Sequence, residues 1–137
     1  MSANADEWLK FAGADLRAAR LLLADTAVPS RIACFHAHQA AEKALKAALV
    51  EESTPFRKTH DLIVLVGLLA QSLAAELMTM DVLLLQPWAV DGRYPGDLPD
   101  ATDAEASEVV ATAEAIVAAV DRWLRMTEHG LTGDQDE

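Results

Sequence analysis

Five alanines, Ala33, Ala37, Ala40, Ala44 and Ala47, recur at steps of four and three between Arg31 and Val50. That period belongs to an α-helix, in which successive residues turn by about 100°. A ladder of alanines along one face lets another backbone come close, so the segment reads as a helix packed tightly in a bundle. The remaining sequence agrees. Alanine (27) and leucine (19) supply 46 of the 137 residues, against six glycines and five prolines. Both abundant residues are strong helix formers, which excludes an all-β, collagen-like or disordered chain. A chain of 137 residues is one domain, large enough to bury roughly two-thirds of its unfolded surface.

The other helices follow from the same period. Leu9, Ala12, Leu16, Ala19 and Leu23 form one stripe of a first helix over about residues 4–25, flanked by Trp8, Phe11, Ala18 and Leu22. Asp15 interrupts the flanking stripe, so it lies at the edge of the core or has a partner there. The alanine ladder belongs to a second helix over about residues 30–52, which Thr54-Pro55 ends. A third helix opens near Thr59 with Leu62, Leu65, Val66 and Leu69, and a fourth carries Leu73, Leu77, Met80 and Leu84. These two stripes are nearly in phase, so residues 60–86 form one long helix or two with a break near Gln71-Ser72. Residues 87–100 hold three prolines and two glycines and read as an ordered turn region. Thr102 and Glu105 form a capping box for a last helix with Val109, Ala113, Ile116, Val120 and Trp123 or Leu124 in its core stripe. Gly130 is its expected stop. The expected architecture is an all-α, up-and-down bundle of four to five helices over residues 1–128, with a polar, disordered tail over 129–137.

Single Cys34 excludes an internal disulfide framework and a multi-cysteine zinc site. MSANADEWLK has no basic start followed by an apolar run, and no apolar stretch approaches about 18 residues. A cytoplasmic protein with no membrane segment is expected. Net charge is −11, but the acidity is uneven. Residues 31–60 carry five cations against three acids, and three of the four histidines. Such a segment suits a local anion site on a chain unsuited to bulk nucleic-acid binding.

That segment holds the candidate site. At helical spacing, His36, Gln39, Lys43 and Lys46 share one flank of the second helix, a strip of donors able to hold a phosphate or carboxylate. The alternative is a solvated Lys43 and Lys46 with His36 and Gln39 bonded to each other. His38 and Glu42, four apart, are placed to pair. His60 and Arg93 are further candidates. His60 either lines a site or bonds backbone at a helix start, where Asp61 beside it suits the helix dipole. Arg93 either joins the site or ties the 87–100 turn to an acid such as Asp15. No Glu-x-x-His, Gly-rich phosphate loop or G-x-S-x-G turn is present, so neither a metal nor a cofactor is expected. Seven acids and no cation between residues 97 and 121 make a solvated face or a surface for a basic partner.

The motifs, in order, resemble the HEPN domain family. W-L-K-F-A-x-x-D-L-x-x-A spans Trp8 to Ala19, Q-x-A-E-K-A-L-K-A spans Gln39 to Ala47, H-D-L spans His60 to Leu62 and R-Y-P spans Arg93 to Pro95. The resemblance covers most of the chain and implies a helical bundle that pairs as a homodimer. It implies a nucleotide-binding module working with a small nucleotidyltransferase partner, or a metal-independent ribonuclease of a toxin–antitoxin pair, or a non-catalytic protein-interaction bundle. The ribonuclease members carry Arg-x(4–6)-His near the last helices. No histidine follows Arg93 at that spacing here. Arg31 and His36 fit it formally, but five helical residues separate their directions by about 140°. No catalytic residue is therefore assigned.

Overall fold

The computed structural model describes residues 1–89 and 100–136, with side chains described as far as residue 127. Five α-helices and one 3-10 helix make up the described chain: α1 (Ala3–Ala24), α2 (Ser30–Glu51), α3 (Leu62–Gly67), α4 (Gln71–Leu77), the 3-10 helix Val82–Trp88, and α5 (Asp103–Asp136). The all-α bundle is as the periodicity predicts. Arg93 and the R-Y-P motif lie outside the described residues.

Helix α2 is the central rod. Its most extensive packing is against α1, followed by α5. Ala33, Ala37, Ala40, Ala41, Ala44, Ala47 and Ala48 are all fully buried, and Ala12 and Ala19 of α1 and Ala113 of α5 join the same core. A helix covered on several sides needs small side chains on more than one face, which is what the alanine ladder provides. Bulk comes from Leu45 and Leu49 of α2, Leu62 and Leu65 of α3, Leu73 and Leu77 of α4, and Ile116 and Leu124 of α5.

Side chains fix the helix ends. Ser2 Oγ accepts from Ala5 N at the start of α1. Thr102 and Glu105 exchange the two 3.1 Å bonds of the capping box. Helix α2 stops shortly before Thr54-Pro55: Ser53 takes φ 56°, while Thr54 N donates to Leu49 O and Ser53 N to Val50 O. This is the paired-bond termination usually built on glycine.

Residues 60–86 are two short helices and the start of the 3-10 helix, with the break between the first two at Leu68–Ala70. Glu52 Oε1 accepts from Ala70 N at 3.1 Å, so the end of α2 caps the start of α4. The fourth helix is shorter than its apolar stripe. Thr79 Oγ1 donates back to Glu76 O at its end, and Leu84 and Pro87 belong to the 3-10 helix. In the last helix the correction runs the other way. Gly130 does not end α5, which continues to Asp136. One glycine costs a helix only about 1 kcal/mol.

Candidate functional site

Helix α2 carries two carboxylate-centred networks, one at the edge of the bundle and one buried. In the first, Asp15 of α1 reaches across to α2. His36 Nδ1 lies 3.0 Å from its Oδ1, and Lys43 Nζ donates to Oδ2 at 2.5 Å. A carboxylate only accepts, so His36 Nδ1 carries the proton. All three side chains stay partly exposed. Asp15 thus interrupts the apolar stripe because it lies at the core's edge and has partners there.

The second network is centred on Glu42, whose side chain is only 5% exposed. Lys46 Nζ donates to Oε2 at 2.9 Å from a side chain that is 8% exposed. His60, arriving from the loop before α3, donates from Nδ1 to Oε1 at 2.8 Å, with its ring 57% exposed. His38 Nδ1 is 3.9 Å from the same oxygen, beyond hydrogen-bond reach. Its Nε2 donates to His60 O at 3.1 Å. The neutral ring therefore leaves a buried, unpartnered lone pair at Nδ1. Burial holds the His38 pKa below its ordinary value, outweighing the pull of Glu42.

The six predicted site residues thus divide. His36 and Lys43 meet on Asp15, while Lys46 and His60 meet on Glu42. Gln39 is half-buried on α2, and no hydrogen bond joins its side chain to the described residues. His36 bonds Asp15 instead of Gln39. Arg93 lies outside the described residues. Each lysine is balanced by a carboxylate, so the strip carries little net charge of its own.

Sequence reasoning missed the aromatic side chains. Lys43 Nζ lies 6.0 Å from the Phe11 ring centroid, and Lys46 Nζ 5.7 Å from Trp8 and 5.8 Å from Phe56. These are cation–π distances. Beside them, a half-open cleft of about 520 Å³ runs between α1 and α2, lined by Asn4, Glu7, Trp8, Phe11, Lys43 and Val50. Phe11 is 57% exposed, an apolar ring facing water. The flanking stripe of α1 was the signal: Trp8 and Phe11 are three apart, on one face, beside the core stripe.

Other candidates are structural. Cys34 is fully buried, and its thiol is pushed up to about 12 by burial, then by Asp100 and Glu105. A thiol so disfavoured as thiolate is a poor nucleophile. Asp61 caps α3 by accepting from Ile63 N and Val64 N. Among the described residues, no group of three or more His, Cys, Asp or Glu side chains is arranged to hold a metal ion. No helix among them is long and apolar enough to cross a membrane.

The family model of the HEPN domain matches residues 5–123, from the start of α1 through most of the bundle-forming part of α5. The chain belongs to the HEPN family. Its fold is similar to the crystal structure of TT1696 from Thermus thermophilus, with a TM-score of 0.70 and 28% identity over 88% of this chain and 98% of that one. It is also similar in fold to ST0689, an archaeal HEPN homologue, with a TM-score of 0.64 and 24% identity over 89% and 98% of the two chains. No protein of curated function matches this HEPN chain.

Proposed function

We propose that this HEPN chain is a nucleotide-binding module that pairs as a homodimer and works with a small nucleotidyltransferase partner. The observation that carries the ligand part is the cleft between α1 and α2: an exposed aromatic ring at Phe11, a half-buried one at Trp8, and Lys43 beside them. Its volume falls in the range of small-ligand sites, about 300–1,000 Å³. Stacking on an aromatic face is tolerant of base identity and contributes about 1–3 kcal/mol per base. Because Asp15 balances Lys43, recognition leads with the base, and the phosphate contributes less. The partner is the one the family resemblance implies.

Calorimetric titration with ATP, GTP and a short RNA tests this reading. The expected result is saturable mononucleotide binding that falls about tenfold or more in Phe11→Ala. It falls less in Lys43→Ala and depends only weakly on salt. Absence of mononucleotide binding, or binding untouched by Phe11→Ala, contradicts the reading.

One observation favours a second reading, metal-independent ribonuclease activity. Glu42 holds His60 by Nδ1, so Nε2 of this largely exposed ring is left to accept a proton. Cleavage would also need a cation for the developing phosphate charge, yet Lys46 is buried on Glu42. RNA cleavage by the purified protein, abolished by His60→Ala, favours this second reading over the first.

A further inference from the structure

The cleft has a polar end as well as an aromatic one. Asn4 and Glu7 line it on the first turns of α1. The other carboxylates of α1 are matched: Asp6 is paired with Lys10, and Asp15 with Lys43 and His36. Glu7 has no hydrogen-bond or ion-pair partner among the described residues, and neither does the side chain of Asn4. Glu7 is exposed and stands one residue from Trp8 and four from Phe11, so its carboxylate and the Phe11 ring share a helix face. An unpaired carboxylate beside an exposed ring and a lysine is an unusual lining for a phosphate pocket. It repels the anion at one end while Lys43 attracts it at the other. It suits a ligand with a flat ring, adjacent N–H donors on one edge and an anionic tail on the opposite side.

Building on the nucleotide reading above, we propose that this cleft selects guanine nucleotides and that Glu7 is the residue that sets the choice. Guanine presents N1–H and the exocyclic N2 amino group side by side. A carboxylate, which only accepts, takes both in a bidentate pair. Adenine presents a bare N1 lone pair on the same edge, which faces a carboxylate repulsively. Phe11 supplies the stacking surface, Asn4 a second polar contact with either donor or acceptor character, and Lys43 the cation for the ribose-phosphate side. Guanine thus gains a charge-assisted bidentate pair that adenine, with no donor at N1, does not.

The test is calorimetric titration of the full chain with GMP, IMP and AMP, for wild type and Glu7→Gln. Glu7 is exposed, and circular dichroism checks that the variant keeps its helices. Wild type is expected to bind GMP about tenfold or more tighter than AMP, with IMP, which lacks the N2 amino group, between them. In Glu7→Gln the GMP-to-AMP ratio falls to about one through weaker GMP binding. GMP and AMP of equal affinity in wild type overturn the proposal, as does a preference unchanged in Glu7→Gln. Either result with Phe11-dependent binding intact leaves the nucleotide reading standing. No binding of any of the three overturns both.

Discussion

Two carboxylates meet the basic flank of α2, and they are buried to different depths. Asp15 bonds His36 and Lys43 at the edge of the bundle, where all three side chains keep some contact with water. Glu42 bonds Lys46 almost out of water and draws His60 in from the loop before α3. The pairings are alike, but the consequences differ. A pair at the edge can exchange a partner for a ligand at small cost. A buried pair cannot lose one member without leaving the other charged and dry. The Glu42 network therefore acts as a structural clamp between α2 and the 53–61 loop. The Asp15 network holds Lys43 beside an open cleft. The eight-residue stretch from His36 to Lys43 spans both environments.

Removing the carboxylates one at a time sharpens this contrast. Glu42→Ala strands a buried ammonium and is expected to cost about 3–5 kcal/mol in urea unfolding. The double change Glu42→Leu with Lys46→Met removes both charges and is expected to recover most of that loss. If the single and double variants unfold alike, the clamp is not electrostatic.

A pH series probes the buried side further. His38 is held neutral in the fold, with Glu42, His60 and Lys46 as its charged or titratable neighbours. Its depressed pKa means that the unfolded chain binds a proton the folded chain refuses. The resulting contribution is present above the ordinary value of about 6.5 and is lost as pH falls through the window between that value and the lower folded one. Stability should fall across that window, and His38→Gln should flatten the fall. An acid limb identical in the two proteins contradicts this assignment.

Asp15→Ala completes the comparison with the smallest expected effect, about 1 kcal/mol of stability. It leaves Lys43 free to meet an anion, so nucleotide affinity should rise while stability drops slightly. A loss as large as that of Glu42→Ala erases the distinction between the two networks.

The sequence revealed these parts unequally. The period of Ala33, Ala37, Ala40, Ala44 and Ala47 marks α2 because a close-packed seam admits little but alanine. The Thr102–Glu105 box is a local device, and its two bonds form as its spacing predicts. Residues 62–88 were harder to read. Their helix ends depend on distant groups, such as Glu52 at Ala70 N and Gln86 at Leu62 N. The site followed the same rule. Helical spacing pairs Glu42 with His38, four residues before it, but in the fold Glu42 bonds Lys46, four residues after it, and His38 Nδ1 stays 3.9 Å away; the arrival of Asp15 and His60 depends on how α1 and the loop pack. Spacing on α2 identified the donors but not which carboxylate each of them meets. The unpaired Glu7 and the exposed Phe11 become meaningful only once the neighbouring α1 charges have been matched to their partners.

Ligand is expected to meet this molecule at the α1–α2 cleft and to leave the Glu42 clamp alone. Backbone amide NMR during titration with GMP measures it directly. The expected shifts concentrate at Asn4, Glu7, Trp8, Phe11, Lys43 and Val50, with His38, Glu42, Lys46 and His60 unmoved. Shifts centred on Glu42 and His60, with the α1 residues silent, would contradict it.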